Sequence, residues 1–255
     1  MVDIPPRSAL DVYRENRALF SPVMSDAFDE VCRLCFGAFN GEWPQCYDCY
    51  ELFNRSSCPN ALARTVVPMS LVLNPSPWYG VLSTYKTARP EHYQIIGALA
   101  LLWISEHEEK LAAICEGAID LITIVPSKRR GIGFDRQPLQ RALALSAPIR
   151  RRLRHTLSYV EGSHYGRLQY TPRAFAPGPV SVEGKNVLLI EDTWITGATA
   201  VSAAGALLQH GARAVVVTPI AREVKLSFHG SGHPVVQFAK TVKHSLTAWP
   251  REDDS

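Results

Sequence analysis

The sequence predicts an α/β protein built on a doubly wound parallel sheet, with a small cysteine-bearing module ahead of it. Short, branched, apolar runs at residues 66–73, 119–125, 187–190 and 214–218 read as strands buried on both faces. Helical patterns at 137–145 and 199–210 fall between the later runs, and strand–helix–strand alternation is the signature of a parallel sheet. Two Cys-x-x-Cys pairs, Cys32 with Cys35 and Cys46 with Cys49, stand apart from these runs near the N-terminus.

The elements follow in chain order. Residues 1–60, rich in Cys, aromatic residues and Asn, make the first module. From residue 61 the texture changes: apolar runs at 66–73 and 81–85, divided by Asn74, Pro75, Ser76 and Pro77, read as strand, turn, strand. Residues 91–109 carry Ile95, Ile96, Leu99, Leu102 and Trp103 at three- and four-residue spacing, a helix expected to cover a sheet face. The 119–125 strand is stopped by Pro126, and a basic glycine-containing turn leads to the 137–145 helix.

Between 155 and 183 apolar periodicity fades and Gly, Pro, Tyr, Ser and Arg accumulate. So long an irregular connection inside a compact domain is expected to be a lid. The strand at 187–190, an Ala-rich helix closed by Gly211, and the strand at 214–218 complete a main domain spanning 61–222. Residues 223–255 are expected to form a C-terminal extension and tail.

Composition excludes little. The chain has 255 residues, 27 Lys+Arg against 24 Asp+Glu, and 46% hydrophobic residues. A net charge of +3 is too small to diagnose nucleic acid or a membrane surface. The first ten residues, with Asp3, Pro5, Pro6 and Arg7, have no apolar core of a secretory signal. The most apolar stretch, 95–104, is half of the roughly 20 residues a membrane span needs. A cytoplasmic protein is therefore expected, and in a reducing compartment cysteines more often serve metals than disulfides.

The segment Val187, Leu188, Leu189, Ile190, Glu191, Asp192, Thr193, Trp194, Ile195, Thr196, Gly197, Ala198, Thr199 is the most informative. A buried strand delivers two carboxylates to its C-terminal edge, where ligands of open α/β sheets bind. The turn from 196 to 199 is suited to aim backbone N–H groups at a phosphate, with Gly197 permitting close approach and the helix N-terminus favouring the anion. Ionised carboxylates only accept hydrogen bonds, so Glu191 and Asp192 suit the two hydroxyls of a ribose. The bland alternative is a strand–turn–helix with two exposed acids.

A second loop, Ser127, Lys128, Arg129, Arg130, follows another strand and is either an anion grip or a solvated basic turn. The two cysteine pairs, ten residues apart, match tetrahedral thiolate binding of zinc in a short ribbon. Four protein ligands leave no open position, so a structural role is expected. Cys58 is either part of a degraded second knuckle or unrelated to it, and Cys115 reads as a core residue. Arg150, Arg151, Arg152, Arg154 and His155 form the densest basic run, read as a solvated helix end, with contact to pyrophosphate, a nucleotide or single-stranded DNA as the alternative. His229 and His233 are expected in an exposed turn, and Tyr159, Tyr165 and Tyr170 either stack on a base or cover core.

The apolar strand, acidic pair, short spacer and Thr-Gly-x-Thr turn resemble the 5-phosphoribosyl-1-pyrophosphate (PRPP) motif of type I phosphoribosyltransferases. That resemblance implies a sheet of type I phosphoribosyltransferase type. It implies that Glu191 and Asp192 hold the ribose, that Thr193, Thr196, Gly197, Ala198 and Thr199 bind PRPP through its 5′-phosphate, and that Ser127, Lys128, Arg129 and Arg130 grip pyrophosphate. Hypoxanthine-guanine phosphoribosyltransferases place an aspartate where this chain has Ile195, so oxopurine salvage by that arrangement is disfavoured.

With the cysteine knuckle ahead of it, the chain is similar over about 30–222 to the ComF family of phosphoribosyltransferase-like proteins, associated with competence and DNA uptake. Tyr85-Lys86, Val125-Pro126, Arg130-Gly131, Phe134, Gln137, Gln169, Arg173 and Phe175 follow that family's order. The implied cofactors are structural Zn²⁺ at Cys32, Cys35, Cys46 and Cys49, and Mg²⁺ with PRPP. The implied partners are an unknown nitrogen acceptor and a DNA-processing protein, with a non-catalytic PRPP or nucleotide sensor as the alternative function. Oligomeric state has no motif.

Overall fold

The computed structural model describes residues 8–39, 45–87, 89–127, 133–163 and 166–251. Its strands are β1 (Leu71–Asn74), β2 (Leu121–Ile124), β3 (Leu157–Tyr159), β4 (Phe175–Pro177), β5 (Asn186–Trp194) and β6 (Ala214–Lys225). Four of them form one all-parallel sheet in the order β1-β6-β5-β2. β3 and β4 make a separate antiparallel ribbon.

The strands read as unbroken apolar runs because both sheet faces are covered. Along β5, Leu188 and Ile190 enter one core with the helix Pro90–Glu106, while Val187 and Leu189 enter the opposite core with the helix Ala198–Gln209. Val216 and Ile220 of β6 follow the first, Val215 and Val217 the second. A third, smaller core sits at the β1 edge, where Leu71 and Leu73 meet Val235, Val236 and Ala239 of the helix Pro234–Thr241. The mixed α/β class with a parallel sheet is thus as expected.

Two elements differ from expectation. The 81–85 run is helical, in the helix Pro77–Thr84 and the turn after it. The Ser76 hydroxyl accepts from Tyr79 N–H at 3.1 Å and Pro77 occupies the first turn, both helix-start devices. Trp78, Val81, Leu82 and Tyr85 then fall on one buried stripe. Strands β5 and β6 also run further than their apolar cores, because Thr193 pairs with Ala221 and Trp194 with Arg222. The acidic pair therefore lies within β5, before the turn.

The N-terminal residues contribute to the main cores. Val12 and Tyr13 of the helix Ala9–Asn16 join the core under the 90–106 helix, whereas the four paired cysteines pack with β5 and the 198–209 helix. Tyr13 hydroxyl meets His244 Nδ1 at 2.9 Å and His244 Nε2 meets Met69 carbonyl at 3.2 Å, pinning both ends of the chain beside β1. Among the described residues, no helix is long and apolar enough to cross a membrane.

The connections decide where a ligand fits. After β2 the chain enters the helix Pro138–Ala144, whose Leu139, Ala142 and Leu143 pack on the 90–106 side. After β5 it enters the 198–209 helix on the opposite side. β2 and β5 are neighbours, so their C-terminal ends flank a topological switch point, the crevice where open α/β sheets bind ligands.

Candidate phosphate site and cysteine cluster

A cleft of about 390 Å³ lies at that crevice, bordered by Tyr85, Lys86, Ser127, Glu191, Asp192 and Thr199 among others. Both predicted carboxylates, one predicted turn residue and the first residue of the basic loop thus share one cavity. Lys128, Arg129 and Arg130 lie outside the described residues. Ser127 N–H donates to Gln137 Oε1 at 2.9 Å, so the buried Gln137 holds Ser127 at the edge of the cleft.

Asp192 is met by two residues more than a hundred positions away. Tyr85 hydroxyl donates to Asp192 Oδ2 at 2.7 Å, and Lys86 Nζ lies 2.5 Å from the same oxygen. Burial, reinforced by the Asp192 charge, pushes the Tyr85 phenol well above its usual range, so it stays protonated and donates. Glu191 and Asp192 together form the acidic edge of the cleft.

The turn after β5 is built around a buried tryptophan. Gly197 adopts φ 84° and ψ −10°, the left-handed conformation at which glycine carries no side-chain penalty. The Trp194 ring lies directly under it, so a Cβ at 197 would strike the indole. Trp194 is 1% exposed and belongs to the core that holds the four cysteines. Thr196 hydroxyl donates to Arg167 carbonyl at 2.7 Å and accepts weakly from Ala198 N–H at 3.5 Å. Thr196 thus ties the turn to the 155–183 segment, the Ala198 side chain is buried, and Thr193 and Thr199 are half-buried.

That segment is docked, not structureless. The β3–β4 ribbon anchors it, Thr171 N–H donates to Ser202 Oγ at 2.9 Å, and Tyr170 lies across Gly205, where a Cβ would meet the phenol ring. Tyr170 covers core, and Tyr165 lies outside the described residues. Arg150 and Arg152 serve a helix end: Arg150 Nη1 donates to Ala144 carbonyl at 3.1 Å and Arg152 pairs with Glu108 at 2.5 Å. His233 corrects the expectation of exposure. It is buried, accepts from Val235 N–H at 3.2 Å to cap its helix, and its Nε2 meets Phe39 carbonyl at 3.0 Å.

The sulfur atoms of Cys32, Cys35, Cys46 and Cys49 all lie within 4.8 Å of one another, and Cys35 and Cys46 are 3.8 Å apart. Four thiolates at about 2.3 Å from a tetrahedral metal stand about 3.8 Å from each other, so the buried cluster fits a metal ion of zinc's size and preference. All four are free of disulfides. Cys58 is outside the cluster and packs as a buried thiol pushed up to about 12 by burial. Cys115 is likewise a core thiol, at about 11.

Sequence reasoning missed Arg222, whose guanidinium is buried between the cysteine cluster and the turn after β5. A charged residue amid a buried strand run was its only signal. It also missed a larger cavity of about 660 Å³, bordered by Ile195, Arg167, Phe39, Tyr47, Tyr50 and Phe228 among others. Tyr47, Ile195 and Phe228 are exposed apolar side chains gathered on its walls.

No family model matches the chain, and no curated protein matches it. Solved structures do. One is an alanine mutant from an analysis of an invariant aspartic acid in HPRTs, 17% identical, covering 47% of this chain and 74% of that one at a TM-score of 0.29. Another is the hypoxanthine phosphoribosyl transferase of Trypanosoma cruzi, 14% identical, covering 57% and 70% at a TM-score of 0.28. The asparagine counterpart of the first is 15% identical, covering 48% and 75% at 0.28.

Proposed function

We propose that the protein binds PRPP with Mg²⁺ and transfers its phosphoribosyl group to a nitrogen acceptor, releasing pyrophosphate. The observation that carries this reading is the convergence of Glu191, Asp192, Thr199 and Ser127 on one cleft at the β2–β5 crevice. An acidic edge for hydroxyls beside a glycine turn at a helix start is the donor and acceptor pattern a sugar phosphate requires.

In this reading Glu191 and Asp192 accept hydrogen bonds from the ribose hydroxyls, and Tyr85 and Lys86 hold the Asp192 carboxylate in position. Backbone N–H groups of residues 196–199 receive the 5′-phosphate. Ser127 with Lys128, Arg129 and Arg130 offsets the charge that grows on pyrophosphate as the anomeric C–O bond breaks and the new C–N bond forms. Pyrophosphate leaves with the bonding pair, and the acceptor nitrogen gives up its proton to solvent. The acidic oxygens at the cleft suit Mg²⁺, which when bound supplies Lewis acidity and a template for the reacting oxygens. The 155–183 segment, tied to the turn through Thr196, keeps water from the reactive sugar.

The four-cysteine centre is read as structural zinc. Its place beside the phosphate turn supports a ComF-like protein, with a role in competence and a DNA-processing partner as the corresponding biology. A second reading, a non-catalytic PRPP or nucleotide sensor, is favoured by Ile195, whose aliphatic side chain at the turn handles no proton. Calorimetric titration of PRPP with and without Mg²⁺, followed by a pyrophosphate-release screen over nitrogen acceptors, separates the two. Release supports the transferase, binding without release supports the sensor, and no binding refutes both.

A further inference from the structure

We infer that Arg222 couples the metal state of the cysteine centre to the shape of the phosphate turn, an inference that rests on reading residues 196–199 as a phosphate site. Arg222 Nε donates to Cys35 Sγ at 3.2 Å. From the same guanidinium, Nη1 reaches the carbonyls of Trp194 at 3.1 Å, Ile195 at 3.0 Å and Glu223 at 2.6 Å. One buried cation therefore holds a cysteine sulfur with one nitrogen and the entry to the turn with another.

The chemistry favours a loaded centre. A buried guanidinium is strongly penalised unless anions face it. Four thiolates around one divalent ion carry a net charge of −2, which supplies that anion. Loss of the metal takes away the tetrahedral anchor that fixes Cys35 Sγ, and with it one of the two ends by which Arg222 is held.

The consequence reaches the turn through peptide geometry. In a planar trans peptide the C=O and the following N–H point in opposite directions. Drawing the Trp194 and Ile195 carbonyls onto Arg222 therefore turns the N–H groups of Ile195 and Thr196 away from the metal module. When Arg222 lets go, those peptide planes are free to rotate and the row of donors leading into Gly197 loses its alignment. The surroundings are shaped for this contact: a Cβ at Gly37 would lie 2.6 Å from Arg222 Nε and 2.8 Å from Cζ, so a side chain there would push the guanidinium out of its present place. Arg222 is thus a positioning residue, and the module is a control element for the phosphate site.

The test uses the full-length, zinc-loaded protein. PRPP with Mg²⁺ is titrated before and after removal of zinc by a zinc-selective chelator under reducing conditions, with metal release followed by a metallochromic dye. Affinity is expected to fall about tenfold, an ordinary coupling between sites, and to return when zinc is restored. Arg222→Met and Gly37→Ala, checked by circular dichroism and metal content, are expected to start from the lower affinity with zinc still bound. Their affinity should then respond little to the chelator.

Trp194 emission, taken as the difference from a Trp194→Phe variant, reads the turn without PRPP. It should shift on zinc removal in the wild type and not in Arg222→Met. Absence of PRPP binding to the zinc-loaded wild type refutes the phosphate reading, while the emission experiment still decides the coupling. Zinc-independent affinity and emission in a folded wild type overturn the coupling. If stripping unfolds the chain, wild-type PRPP affinity in both zinc-loaded variants overturns it.

Discussion

Replacing Gly197 by alanine probes how the turn is held, and its cost follows from two separable terms. The left-handed backbone at 197 penalises a residue with a Cβ by about 1–2 kcal/mol. The new methyl would stand 2.6 Å from Trp194 Cη2 and closer still to Cζ2 and Cε2, inside the van der Waals envelope of the ring. Trp194 is 1% exposed within the core that also holds Cys35, Phe53 and Ala198, so displacing the indole means repacking buried side chains. Overpacking of this kind costs about 1–3 kcal/mol. The expected destabilisation is therefore about 2–5 kcal/mol, measured by urea unfolding followed by far-ultraviolet circular dichroism. In a Trp194→Leu background the same change should cost only the backbone term, about 1–2 kcal/mol. A single variant within about 0.5 kcal/mol of wild type, the range of ordinary surface changes, would refute the packing argument.

Asp192→Asn removes an ion pair whose Lys86 partner is 42% exposed, so stability should change by no more than about 1 kcal/mol. PRPP affinity, by contrast, should fall by about 2 kcal/mol, roughly thirtyfold, through loss of a charge-assisted hydrogen bond; unchanged affinity would remove the acidic pair from the site. Metal analysis of purified protein should return about one zinc per chain, lost in Cys49→Ser, and protein without zinc would sink the structural-zinc reading. Burial holds the His244 imidazole down at about 4, from the ordinary 6.5. The unfolded chain therefore binds the proton first as pH falls, so the neutral-form stability is present above about pH 6.5 and is lost down to about pH 4. The loss amounts to about 3 kcal/mol. Denaturant unfolding across that window, compared with His244→Gln, should show a shallower acid loss in the variant; identical slopes would exclude His244 as the cause.

Two local patterns carried most of what the sequence determined. Paired Cys-x-x-Cys knuckles need only short-range geometry to bring sulfurs together, and the cluster at Cys32, Cys35, Cys46 and Cys49 forms as their spacing implied. An apolar strand, two acids, a glycine and an Ala-rich helix likewise form a contiguous run, and Glu191, Asp192 and Thr199 reach one cleft in that order. What failed locally failed for a physical reason. Polar residues at the end of β5 look like a turn in sequence, but pairing with β6 satisfies their backbone and keeps them extended. The run at 81–85 has apolar content compatible with either period, and the Ser76 cap and Pro77 decide for helix.

Contacts across the fold were decided by the tertiary structure alone. Tyr85 reaches Asp192 over 107 positions because the sheet order brings the turn after the 77–84 helix to the end of β5. Arg222 reaches Cys35 over 187 positions because β6 pairs along β5 as far as Trp194 and presents Arg222 to the cysteine cluster there. Capping, periodicity and knuckle spacing act within a few residues and are written in the chain. Which strand lies beside which is a property of the packed sheet, and it is there that the acidic pair acquires its cation and the turn after β5 its link to the cysteine cluster.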